Sequence, residues 1–181
     1  MVPRLLPALS ARALAALGMA VGCALALPEP AGAEVVSARV IVRGMTCNIC
    51  AATVERQLKR VSCVVKASVD LERGLAQINP RDGQRFDGRR ILKAIRAAGF
   101  TPGDIHVVAR GRLLLRDGSY YLDLGNGDVA VLAESRGGAL ALVVPAPGGN
   151  IEVSGRFNDP AEDARASVGI TVENAIAVGS P

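Results

Sequence analysis

The 181-residue sequence predicts an α+β chain, a two-layer sandwich followed by a small all-β barrel. Three observations predict it. Apolar residues recur at every second position over 36–42 and 65–71, but at spacings of three and four over 51–61 and 91–98. Beyond residue 108 only the period of two survives, in short runs broken by turn residues. Charge divides at the same place. Residues 34–108 hold 13 Lys and Arg against 7 Asp and Glu, and residues 109–181 hold 6 against 9. Two units with different surfaces are implied.

Within the first unit each element has a local cause. Val36, Ala38, Val40 and Val42 alternate with polar residues, broken only by Ile41, and read as a half-buried strand. After the Gly44–Asn48 loop, Ala51, Val54, Leu58 and Val61 mark one face of a helix, with Glu55 and Lys59 paired on the other side. Val65, Ala67, Val69 and Leu71 make a second strand, and Leu75–Asn79 a third. Asp87 is an N-cap for a second helix, with Phe86 placed to staple onto Ile91. Ile91, Ile95 and Ala98 form its inner face, and Gly99 ends it as a left-handed cap. Ile105–Val108 is the fourth strand. The order βαββαβ with right-handed crossovers gives a ferredoxin-like sandwich, four antiparallel strands with both helices on one face.

The second unit contains "VVARGRLLLR", "YYLDL", "VAVLAE", "NIEVSGRF" and "GITVENAIAV". Five short strands of this kind suggest a closed or half-open barrel. "RGGALALVVPAPGG" is a looser crossover, and 158–166 a polar loop. No Pro- or Ser-rich linker separates the units, so Val107–Arg116 can serve both as one bent strand.

The N-terminus reads as an export signal. Arg4 and Arg12 precede an apolar run, Ala13–Leu27, too short to span a bilayer comfortably, and "AGA" (31–33) offers a small-x-small cleavage pattern. Cleavage after Ala33 would leave residues 34–181 in a bacterial periplasm. Lipoprotein processing at Cys23 is the rival. The expected divisions are 1–33 as signal, 34–108 as the sandwich and 109–181 as the barrel.

With Cys23 in the signal, Cys47, Cys50 and Cys63 remain, an odd set unlike a disulfide framework. Cys47 leaves the first strand and Cys50 falls in the first turn of the first helix. A helix N-terminus favours thiolate through its partial positive charge and free N–H groups. Two thiolates on a loop select thiophilic cations such as Cu(I). Gly44 lets the loop turn, Met45 can tuck beneath it, and Thr46 can hydrogen-bond locally. A redox dithiol and a structural disulfide are the competing readings of the same pair.

Gly44, Met45, Thr46, Cys47 and Cys50, followed by "AATVERQL", "VVKASVDLERGLAQI" and "ILKAIRAAGF", resemble the heavy-metal-associated domain. That family includes copper chaperones, the N-terminal modules of copper P-type ATPases and the periplasmic mercuric-ion carrier. The resemblance covers residues 35–108. It implies one soft metal ion, Cu(I) or Hg(II), held by Cys47 and Cys50 and handed by sulfur exchange to a donor or acceptor protein such as a membrane transporter. It implies a carrier, not an enzyme. In the family the turn before the second strand is often Gly-Val; here it is Cys63–Val64. Ten or so helical residues carry the chain about 15 Å from the loop, so Cys63 belongs at the far end as a small buried residue. The second helix returns Phe100 to the loop, where it can shield the site. His106, the sole histidine, reads as a structural or exposed strand residue.

The basic residues Arg56, Arg60, Arg89, Arg90 and Arg96 form a solvated face open to an acidic partner. Export and the shortage of aromatics, 3% of the chain, argue against nucleic acid. A membrane enters only through a partner. The second unit resembles an oligonucleotide/oligosaccharide-binding (OB-like) barrel and reads as a scaffold or docking module. Two other functions stay open: a periplasmic thiol–disulfide oxidoreductase, and a metal-sensing assembly subunit.

Overall fold

The computed structural model describes residues 33–125, 127–134, 148–158 and 168–178. The expected signal, lipoprotein site, crossover at 136–149 and loop at 158–166 lie wholly or mostly outside the described residues. The order is β1 (Glu34–Arg43), α1 (Asn48–Leu58), β2 (Val64–Asp70), β3 (Leu75–Pro80), α2 (Gly88–Ala97), β4 (Thr101–Arg116), β5 (Ser119–Asp123), β6 (Val129–Glu134), β7 (Asn150–Asn158) and β8 (Val168–Ala177). No helix among the described residues is long and apolar enough to cross a membrane.

The first four strands pair antiparallel in the order β2-β3-β1-β4. Their inward residues, among them Ala38, Val40, Ala67, Ile78 and Ile105, are buried in one cluster with Val54 and Leu58 of α1 and Ile91 and Ile95 of α2. This is the ferredoxin-like sandwich. Each large aliphatic side chain removed from water there contributes about 1.5–3 kcal/mol. Helix α2 starts where Asp87 accepts the Arg90 N–H at 2.9 Å. It ends where Gly99 N–H reaches Arg96 O and Phe100 N–H reaches Ile95 O, at 2.9 and 3.2 Å. That double closure, with Gly99 at φ +89°, is a Schellman ending.

Alternation fails at two irregularities in pairing. A register shift between Val35 and Ser37 turns Val35 inward and leaves Val36 half-buried. Another between Val64 and Lys66 buries Val64 and leaves Val65 56% exposed, against the expectation that Val65 faces the core. An extra residue in one strand reverses the side on which the following residues fall.

The fourth strand continues through the Val107–Arg116 stretch expected to serve both units. β4 runs 16 residues, and the boundary expected at 108 falls inside it. Its first part pairs with β1 through Glu34↔Arg110, its middle with β7 through Arg112↔Asn150, and its end with β5 through Arg116↔Ser119. Where β4 passes from β1 to β5 it carries Gly111, at which a Cβ would strike the backbone of Asp123. From β4 the chain continues β5-β6, then a parallel β6–β8 pair, then β8-β7, and β7 returns to β4. Five strands thus close a ring over Leu113, Leu122, Ala130, Ile151, Ile170 and Val172, which belong to the same buried cluster as the sandwich core.

Side chains lock the junction as well. Phe157 of β7 lies against Phe86 edge-to-face, ring centroids 5.9 Å apart, and covers Gly88, where a Cβ would lie 2.7 Å from the Phe157 ring. Phe86, expected to staple its own helix, thus also joins the units. Arg85 reaches Asp128 at 3.5 Å across the same seam. Replacing the half-buried Phe157 by Ala is expected to lower unfolding free energy by about 2 kcal/mol, the low end of large-to-small truncations. Urea unfolding would show a shifted midpoint with an unchanged slope; no shift would mean that the ring does not tie the units.

Candidate metal centre

The loop between β1 and α1 is fixed from both sides. At its base, Val42 N–H donates to Gly74 O at 2.7 Å, which anchors the end of β1 to the β2–β3 turn. Gly44 then turns the chain at φ +91°, a conformation that disfavours a side chain. The Phe100 ring stands 3.9 Å from the position of a Gly44 Cβ, so the second helix does bring Phe100 to the loop. Met45 is partly buried and packs on the core. Thr46 is exposed, and its hydroxyl makes no hydrogen bond among the described residues, contrary to the expected local bond.

Cys47 is the N-cap of α1, in extended conformation (φ −148°, ψ 156°). Its Sγ accepts the Cys50 backbone N–H at 3.2 Å. A sulfur here takes the part usually filled by Ser, Thr or Asp oxygen. No acidic side chain occupies the first turn, so nothing there competes with sulfur for the positive helix end. Cys47 is exposed and Cys50 half-buried. Their Cα atoms are 5.2 Å apart, and the two sulfurs are joined as a disulfide. Neither sulfur of a disulfide is a thiolate, so capture of a cation requires two-electron reduction of this bond. Once reduced, the donor set is soft and small. Among the described residues no cluster of three or more His, Cys, Asp or Glu is positioned to hold a metal ion. Two sulfurs with no third protein ligand suit a low-coordinate thiophilic ion and not Mg or Ca.

The other candidates are elsewhere. Cys63 is a free thiol, 2% exposed. Burial pushes its thiol up, against the lowering effect of a backbone hydrogen bond from Asp87. Proximity to Asp87, where α2 begins, puts it at the opposite end of the sandwich from Phe100. His106 lies in β4 with Nδ1 3.5 Å from Glu173 of β8. Sequence reading did not foresee Ile49, which lies between the two cysteines and is 79% exposed. Its signal was present in "CNIC", since Ile49 falls off the Ala51–Val54–Leu58 stripe.

A dithiol at a helix N-terminus on a ferredoxin-like sandwich defines the class as a soft-donor βαββαβ domain. Residues 39–101, about a third of the chain, are a heavy-metal-associated domain by match to that family's model. Among solved structures, the CopZ metallochaperone is 27% identical over 37% of this chain and 98% of its own, with a TM-score of 0.35. The yeast copper transporter domain Ccc2a, solved in apo and Cu(I)-loaded states, is 26% identical over 36% and 89%, TM-score 0.34. Oxidized MerP from Ralstonia metallidurans CH34 is 28% identical over 37% and 92%, TM-score 0.34. No curated protein matches the sequence.

Thiol reactivity should follow this geometry. After mild reduction, a maleimide is expected to label Cys47 first, Cys50 more slowly and Cys63 only on unfolding, as read by peptide mass spectrometry. Fast native labelling of Cys63 would contradict its burial. The raised Cys63 thiol also sets a pH trend. Its stabilising contribution is present below the unfolded thiol value of about 8.5 and is lost as pH rises towards the folded value. Wild-type stability should therefore fall more steeply above that pH than in Cys63→Ala, by denaturant titration across pH.

Proposed function

We propose that this protein is an exported carrier that binds one soft metal ion through Cys47 and Cys50 and passes it to a partner. The carrying observation is the pair's position: two sulfurs at the start of α1, one of them the N-cap, inside a segment that matches the heavy-metal-associated family. Cu(I) is the first assignment and Hg(II) the second. Reduced Cys47 and Cys50 hold the ion between two thiolates. An incoming partner thiolate adds to give three-coordinate metal, and departure of one protein sulfur begins transfer, with no change of oxidation state. Exposed Cys47 is the sulfur a partner reaches first, with Ile49 beside it as an apolar contact. The partner is a metal donor or acceptor such as a membrane transporter.

The reading includes export to a periplasm with cleavage after Ala33, supported by the charged start and apolar run of the first residues. The second unit is read as an OB-like barrel. Its five-strand closure and parallel β6–β8 pair support that. Its part here is to hold the metal domain and offer a docking body.

Titrating reduced, anaerobic protein with Cu(I) and Hg(II) against a competing chelator tests the carrier. One ion per chain is expected, with affinity lowered at least about a hundredfold, roughly 2.7 kcal/mol, in Cys47→Ser and Cys50→Ser. Wild-type affinity in both variants would overturn the site. The disulfide itself favours one second reading, a thiol–disulfide oxidoreductase. Insulin reduction with turnover and no metal affinity would select it over the carrier.

A further inference from the structure

The register of the eight-stranded sheet aligns a row of polar side chains that no single unit contains. Ser68 of β2 pairs with Gln77 of β3, Gln77 with Arg39 of β1, and Arg39 with His106 of β4. His106 pairs in turn with Arg156 of β7, and Arg156 with Thr171 of β8. The neighbours of these residues along each strand, such as Ala38, Ala67, Ile78, Val107 and Ile170, point into the core. The row therefore lies on the sheet face away from the helices, and it crosses the seam between the two units.

Its centre is two arginines flanking the one histidine on directly opposed positions. Acidic side chains stand beside two of the three: Asp104 lies 3.6 Å from Arg156, and Glu173 lies 3.5 Å from His106. Arg39, exposed at the middle of the row, has no acidic partner among the described residues. Neither does Arg43, which continues the same strand to the lip of the cysteine loop, nor Lys66 on β2. On the helical side Lys59 is paired with Glu55 and Arg90 with Asp87, while Arg56, Arg60, Lys93 and Arg96 are exposed with no acidic partner among the described residues. Row members stand in register across paired strands, from Ser68 on the edge strand β2 to Thr171 on β8. No aromatic side chain takes part in the row, which leaves nothing for bases to stack on.

We propose that this open sheet face, centred on Arg39, is a docking surface for an acidic segment of a partner protein. Carboxylates of that segment seat against Arg39 and Arg43, and the row's amide and hydroxyl groups take its backbone. Arginine suits this because its planar fork binds a carboxylate by two parallel hydrogen bonds. Such docking leaves the metal loop, reached by Arg43, at the rim of the contact and free for exchange. The inference goes beyond the carrier reading and does not require bound metal.

The test uses full chain carrying Cys47→Ser and Cys50→Ser, so that failure of metal binding has no bearing on it. An isotope-labelled sample is titrated with an oligo-aspartate peptide and followed by amide chemical shifts. Saturable shifts are expected at Arg39, Gln77, His106 and Arg156, weakening as salt rises. Arg39→Gln should reduce affinity about tenfold, with partial recovery in Arg39→Lys. Arg56→Gln with Arg60→Gln, on the helical side, should leave affinity unchanged. Absence of saturation, shifts confined to α1 and α2, or equal losses in the sheet and helix variants would overturn the proposal.

Discussion

One strand carries the architecture. β4 bonds to β1 and β7 at once over residues 106–110, then leaves β1 and takes β5 as its partner. A ferredoxin-like sandwich ordinarily ends in an open edge at its fourth strand, a row of free N–H and C=O groups ready to pair with another chain. Here β7 fills that edge, and the barrel is the means by which β7 is held there. The opposite edge, at β2, is handled by a side chain: Glu55 of α1 accepts the Val69 N–H at 2.9 Å. Because β4 is continuous, the two units share backbone hydrogen bonds and core and are not joined by a linker.

That continuity gives the cysteine loop a rigid base. The loop is held by Val42 to Gly74 on one side and by Phe100 beneath Gly44 on the other. Phe100 is the residue just before β4. The same strand that closes the barrel therefore starts under the candidate site. Cys47 and Ile49 are exposed on this base with Cys50 half-buried beside them, and the chemistry open to the sulfurs depends on whether they are bonded to each other or reduced.

Much of the first unit was legible because its signals are local. Asp87 caps, Gly99 closes, and Ala51, Val54 and Leu58 face inward for reasons contained within a few residues. The placement of Cys47 and Cys50 at a helix start is likewise local, as is the distance separating them from Cys63. Their role as ligands rests on the chemistry of thiolates at a helix end and on the family match. The Val35 and Val64 irregularities left no trace in the alternating pattern, since an extra residue in a strand is defined only against its partner.

The sequence by itself determined the order of elements, the inward faces of the first unit and the position of the cysteine pair, because periodicity and caps act over short stretches of chain. Only the tertiary structure decided that β4 exchanges β1 for β5 while keeping β7, that Phe86 meets Phe157, and that Arg39, His106 and Arg156 share one row. Those outcomes depend on β4 finding β7, as Arg110 finds Glu152 at a separation of 42 residues. Pairing over such a distance is set by the packing of the whole core and has no counterpart in local pattern.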